Sequence, residues 1–396
     1  MATQIKFKSY LFLLFLVLFS GCEKTKANHA SNNTVSTTVK SEEKQPKIQV
    51  VFLLDATGSM SGLIGTAKEK IWSIAGSFTQ TVPTPKIEIG MIFYRDRGDE
   101  FITKQIPMGT PMDDLYEELM TIQAAGGGDM PESVNQALWE AVTDMQWDKD
   151  KDTYRAIFLV GDCPPHMDYQ DDVKYPVSCA EANKRNIIIN TILMGNDRQA
   201  HAIWSEIAKK TNGEFIQTDM RVNNISIATP LDERIKALQR ELDNTRIYYG
   251  KSKEVNEKKK SQSEKIMMED ASVNARRAEY NLSESGKTSY YGSDELISSV
   301  QKGKKLSEIS ASDLPEELKK MSSVELQKYV NDNIAKREKL EKKILELNKQ
   351  RQVYIDDKLK EMDQETVESS FDDVVFEAVK VQAAKKEIQI EGKAKR

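Results

Sequence analysis

Asp55, Thr57 and Ser59 set one carboxylate and two hydroxyls at alternate positions, directly after the apolar run 50–54. A run with no polar alternation reads as a strand buried on both faces, and Gly58 allows the tight turn that follows it. The three oxygen donors therefore sit at the carboxyl end of a strand, where open α/β sheets bind ligands. With no thiolate or imidazole among them, they suit a hard cation: Mg²⁺ first, with Ca²⁺ or Mn²⁺ as alternatives. The competing reading is an ordinary strand-turn-helix junction, with Thr57 or Ser59 capping the helix.

The elements around this turn form an alternating series. An amphipathic helix is expected over 63–78, and Pro83 and Pro85 mark the loop after it. Strands over 86–94 and 100–108 flank the short linker 95–99, which suits a β-hairpin. That linker contains Arg97-Gly98-Asp99, an integrin-recognition tripeptide by spelling and a hairpin turn by composition. A short helix, 113–122, leads to Gly126-Gly127-Gly128-Asp129-Met130-Pro131-Glu132. Three glycines let backbone approach a ligand closely, and Pro131 opens a helix over 132–145. Asp129 is a candidate oxygen donor and equally a helix cap. A buried strand over 153–160 ends in Gly161-Asp162, and a long loop carrying Cys163, His166 and Asp168 follows. A strand over 187–194, a helix over 198–210, a strand over 214–217 and a connector over 219–230 complete the series. Strands alternating with helices imply a mostly parallel, six-stranded, doubly wound sheet with helices on both faces.

Asp-x-Thr-x-Ser after a buried strand, a glycine-rich second loop and Gly-Asp after a later buried strand together resemble the metal-ion-dependent adhesion site of von Willebrand factor A-type domains. The resemblance covers residues 47–230. It implies that Thr57 and Ser59 ligate a divalent cation directly, and that Asp55 and Asp162 hold it directly or through water. The family's first motif carries serine where Thr57 stands, which keeps the hydroxyl. Its second loop supplies a threonine; here Gly128 takes that place and Asp129 is the substitute donor. An open position on such an ion is filled by an acidic side chain of a protein partner, so the implied activity is cation-dependent protein binding or adhesion, without turnover.

Outside this segment the chain reads differently. Lys6 and Lys8, an apolar run 10–19 and Ser20-Gly21-Cys22 have the layout of a secretory signal, too short to span a bilayer. The cysteine after small residues resembles a bacterial lipobox, with residues 1–21 removed and Cys22 acylated. Residues 22–46 form a polar tether. This implies a lipid-anchored protein of the bacterial cell envelope, facing away from the cytoplasm. In an exported protein the remaining pair, Cys163 and Cys179, forms a candidate disulfide; a Cys163/His166 thiol pair is the alternative.

Residues 231–396 are dense in balanced charge, with Pro315 their only proline. That pattern, and a net charge of -5 over 396 residues, excludes a nucleic-acid surface and suits solvated helices. Ile235, Leu238 and Leu242 form one helical stripe and Leu340, Ile344 and Leu347 another, so an α-helical, partly coiled-coil region is expected. The pattern from Leu231 meets no proline or glycine until Gly250 and suggests a continuous rigid helix. Residues 254–291 look polar and frayed, Asp313 and Pro315 begin a helix, and the apolar residues 371–379 must dock on something. Two other functions compete with cation-dependent binding: a metal-assisted hydrolase, and a structural envelope protein working through its helical third.

Overall fold

The computed structural model describes residues 45–128, 130–218, 225–250 and 253–396. Its centre is a six-stranded sheet in the order β3-β2-β1-β4-β5-β6. The strands are β1 (Lys47–Asp55), β2 (Lys86–Tyr94), β3 (Thr103–Ile106), β4 (Tyr154–Gly161), β5 (Ile188–Met194) and β6 (Phe215–Thr218). All neighbours pair in parallel except β2 and β3, whose hairpin puts an antiparallel strand on one edge.

Successive side chains of β1 point to opposite faces. Val50, Phe52 and Leu54 enter one apolar cluster, and Val51 and Leu53 enter another. The first face is covered by α1 (Ser61–Phe78) and α2 (Met112–Thr121), through Ile71, Trp72, Leu115 and Tyr116. The second is covered by α3 (Val134–Thr143), α4 (Tyr175–Lys184) and α5 (Arg198–Lys210), through Leu138, Ala182 and Trp204. Two-sided cover is what the continuous apolar strands require. The doubly wound α/β architecture is thus the one expected.

The remaining helices are α6 (Asp232–Asp243), α7 (Lys253–Ile266), α8 (Ala271–Asn281), α9 (Glu284–Tyr291), α10 (Leu296–Gln301), α11 (Glu316–Lys319), α12 (Ser323–Lys360), α13 (Gln364–Glu368) and α14 (Phe371–Ala384). The two expected stripes do meet. Ile235, Leu238 and Leu242 share a core with Leu340, Ile344 and Leu347, but α8 and α9 contribute Ala275, Ala278 and Tyr290 to the same cluster. The stripes therefore pack in a multi-helix layer.

Three expectations for this region change and one is met. The helix near Leu231 ends at Asp243 rather than running on to Gly250. Arg337 from α12 donates to the Thr245 carbonyl at 2.7 Å and to its hydroxyl at 3.1 Å, so a tertiary contact holds the chain just past the helix end. The stretch expected to fray holds α7, α8 and α9, and Arg276 and Arg277 are fully buried within it. Asp313 lies in a 3-10 turn, and Pro315 rather than Asp313 precedes α11. Finally, α14 docks on the sheet itself: Val375, Phe376 and Val379 join the cluster of Val50 and Phe52. Gln382 on α14 accepts from the Tyr154 hydroxyl at 2.7 Å and donates to Asn190 at 2.6 Å. The end of the chain thus helps to complete the core of the sheet domain.

Among the described residues, no helix is long and apolar enough to cross a membrane. The segment 1–44, with Cys22, lies outside the described residues, as does Asp129.

Candidate metal centre

Parallel pairing carries the ends of β1 and β4 to the same edge, with Leu54 opposite Val160. Asp55 at that edge is fully buried. Its Oδ1 accepts from the Thr57 amide at 2.8 Å and from the Thr57 hydroxyl at 2.7 Å, closing an Asx-type turn. Thr57 Oγ1 lies 3.2 Å from Ser59 Oγ, so the three donors form one string, with Ser59 at its exposed end. The other Asp55 oxygen, Oδ2, is buried with no hydrogen-bond partner. Burial, with Asp162 as a further contribution, pushes the Asp55 carboxyl up to about 7 despite the Thr57 bonds.

Asp162 follows β4, as its place in the sequence suggests, and its Oδ1 is also buried and unpartnered. Gly161 makes this approach possible: a Cβ there would stand 3.0 Å from Asp55 Oδ2 and 2.3 Å from the Tyr94 hydroxyl. The glycine-rich loop closes the third side. Gly58 N donates to Gly126 O at 3.1 Å, and Ala125 N to Ala56 O at 3.0 Å. Gly126 and Gly127 both have positive φ, and a Cβ on Gly127 would fall 2.7 Å from Thr57 Cβ and 3.0 Å from Glu132 Oε1. Only glycine lets the backbone pass between those side chains.

Glu132 is the residue that reading the sequence missed. It precedes α3, whose N-cap is Ser133, so the helix begins later than expected. Its side chain is 2 % exposed and its Oε2 has no hydrogen-bond partner. Burial, followed by Asp55, Asp96, Asp99 and Asp162, pushes its carboxyl up to about 9. The signal was an acidic residue just after the glycines, obscured because Pro-Glu is also a normal helix opening.

The β2–β3 linker supports the loops as well as turning the chain. Arg95 donates to Ala56 O at 3.1 Å and Gln123 O at 2.7 Å. Asp99 Oδ2 accepts from Gly127 N at 3.1 Å. Arg97 pairs with Asp172 at 2.6 Å and covers the Tyr169 ring at 4.0 Å. The tripeptide Arg97-Gly98-Asp99 is therefore a hairpin turn whose charged side chains are engaged within the chain.

Behind this edge, His166 stacks on Tyr169 at 3.9 Å and contacts Asp168 at 2.8 Å. Tyr169 and Ser133 both donate to Asp96. His166 is thus held by Asp168, Asp96 and Tyr169. The expected Cys163–Cys179 disulfide is not formed: both are free, buried thiols. Cys179 lies on α4 in the apolar cluster of the second face, whereas Cys163 follows Asp162 at the site. Burial, then Asp162, raises the Cys163 thiol and keeps it protonated, so the alternative of an activated thiol paired with His166 also lacks support.

The donor set fits a divalent cation. Asp55, Asp162 and Glu132 each carry a buried oxygen without a partner, beside two hydroxyls, and each unpaired charge is costly to bury. Among the described residues, no three acidic, histidine or cysteine side chains already converge around one point. Hydroxyls and carboxylates together, rather than a closed carboxylate cage, thus characterise the site.

A doubly wound α/β domain with hydroxyl and acidic side chains at the carboxyl edge defines a recognisable class. Residues 49–220 match the family model of the von Willebrand factor A domain, and this segment of the chain is such a domain. A protein of Acanthamoeba polyphaga mimivirus named as ariadne-like RING finger is 32 % identical over 91 residues, covering 23 % of this chain and 9 % of the viral protein. An aerotolerance-related membrane protein from Bacteroides fragilis is 18 % identical, covering 43 % of this chain and 92 % of that one, with a TM-score of 0.32. Proximal thread matrix protein 1 of the mussel byssus, in a structure with a zinc-occupied MIDAS motif, is 14 % identical, covering 45 % of this chain and 43 % of that one, with a TM-score of 0.35.

Proposed function

We propose that this chain is an exported, membrane-anchored binding protein whose A-type domain recognises a protein partner through a divalent cation. The observation that carries the reading is the pair of buried, unpartnered oxygens on Asp55 and Asp162, next to the hydroxyls of Thr57 and Ser59. Those four residues would hold the ion, with Mg²⁺ the best match to a small set of hard oxygens and Ca²⁺ or Mn²⁺ as competitors. The bound ion supplies a positive point at the edge of the sheet, on the side where Ser59 is exposed. A partner oxygen completes its coordination, and an acidic side chain is the expected class. Recognition rather than turnover is the better reading, because Cys163 is held protonated and His166 is engaged with Asp168.

The test is capture of partners by the full chain from native envelopes by cross-linking. A partner recovered with Mg²⁺, lost on chelation and lost again in Asp55→Ala supports the proposal. Recovery that is indifferent to both contradicts it. Export and anchoring rest on the Lys-apolar-Ser-Gly-Cys order of residues 6–22. Cys22→Ser is expected to release the protein or stall its processing, and unchanged membrane retention would contradict acylation.

A further inference from the structure

We infer that Glu132 is the second-loop ligand of the cation, a carboxylate of the chain itself taking the role expected of Asp129. This rests on the cation-site reading above and goes beyond it.

Three observations converge on Glu132. Its side chain is 2 % exposed, and its Oε2 finds no hydrogen-bond donor. Its backbone is fixed independently of that carboxylate: the amide donates to Pro164 O at 3.0 Å, and the carbonyl accepts from His166 N at 3.1 Å. Its other oxygen, Oε1, lies 3.0 Å from the place where a Gly127 Cβ would stand, and the same point is 2.7 Å from Thr57 Cβ. Gly127, at a positive φ of 71°, therefore lies against both the Glu132 carboxylate and Thr57, with no room for a side chain of its own.

After burial, the groups that weigh most on this carboxyl are other acids: Asp55, Asp96, Asp99 and Asp162. Arg95, on the β2–β3 linker, is spent on Ala56 O, Gln123 O and the Phe101 ring. A buried carboxylate lacking a donor is destabilising on its own, and a cation within its reach removes that cost. Because ligand charge sets affinity in oxygen sites, a third carboxylate lets the ion bind before any partner arrives.

The test uses the full chain and its Glu132→Gln variant, which keeps the size and removes the charge. Calorimetry with Mg²⁺ and with Ca²⁺ alone is paired with melting in chelator. The variant is expected to melt no lower than wild type in chelator, since the amide keeps the size of the side chain and replaces an acid that finds no donor. Its cation affinity is expected to fall about tenfold or more. A melting midpoint that holds while affinity falls cannot come from simple misfolding. Equal cation affinity in Glu132→Gln and wild type, with binding abolished in Asp55→Ala, overturns this inference and leaves the site intact. No cation binding by wild type overturns both.

Discussion

Two regions of the protein treat buried charge in opposite ways. In the helical layer, buried guanidinium groups meet buried carboxylates. Arg277 is bidentate to Asp113 at 2.7 and 2.8 Å and reaches Asp243 at 3.0 Å. Arg337 grips both oxygens of Glu295, at 2.9 and 3.0 Å, with both partners fully buried. At the carboxyl edge of the sheet, Asp55, Glu132 and Asp162 each keep a buried oxygen with no hydrogen-bond partner. The first arrangement is complete as folded, because planar guanidinium groups satisfy carboxylates with two bonds each. On the proposed reading, the second is completed by a positive charge from outside the chain. The same residue types are scaffold in one region and a site in the other, and what separates them is whether the opposite charge is supplied by the sequence.

If that contrast is right, breaking a completed pair costs most. Arg337→Ala leaves Glu295 buried without its ion partner and is expected to lose about 3–5 kcal/mol in urea unfolding. A loss below about 1 kcal/mol would mean that the helical layer does not depend on its ion pairs. At the sheet edge the sign reverses. Asp55→Asn should be no less stable than wild type in chelator, yet should forgo the cation stabilisation, about 2.7 kcal/mol at one hundred times the dissociation constant. Thermal melts with and without Mg²⁺ read both effects. If Asp55→Asn is stabilised by the ion as strongly as wild type, Asp55 is no ligand.

Acid sharpens the comparison further. Burial alone would raise the Asp113 carboxyl, but Arg277 beside it holds the group below the usual carboxylate range. A depressed folded value means that its contribution is present above the unfolded pKa, near 4, and is lost as pH falls through the folded value. Asp113→Asn should therefore cost about 2 kcal/mol at neutral pH and flatten the acid limb of the stability curve. An unchanged acid limb would place the acid-sensitive contacts elsewhere. The smallest effect belongs to the rim. Lys47 hydrogen-bonds Asp148 at 2.8 Å and pulls it down to about 2, but the pair is partly exposed. Asp148→Asn is expected to cost less than about 1 kcal/mol, most clearly above pH 4 and less with added salt.

The sheet and the first turn were legible because their signals are local. Continuous apolar strands, Gly58 and the spacing of Asp55, Thr57 and Ser59 all lie within a few residues, and Asp162 follows its strand directly. Glu132 was not legible, because its role depends on a fold that brings residues 57, 127 and 132 together. The helical third was half legible. Its apolar stripes announced helices, but the charges between them read as solvated, and nothing local marks Arg277, Arg337 or Arg351 as buried. The docking of Val375 and Phe376 against Val50 and Phe52 spans more than three hundred residues, beyond any periodicity argument. The disulfide expectation failed for a related reason: an even number of cysteines says nothing about which elements carry them apart.

The central claim is that the acids at the sheet edge hold a divalent ion. Its most direct test is a crystal of the full chain soaked in Mn²⁺, with anomalous scattering used to locate the metal. The account predicts one strong peak at the carboxyl ends of β1 and β4, in contact with Thr57 and Ser59 and within direct or water-bridged reach of Asp55, Asp162 and Glu132. No peak at that edge, with Mn²⁺ bound elsewhere or not at all, would contradict it.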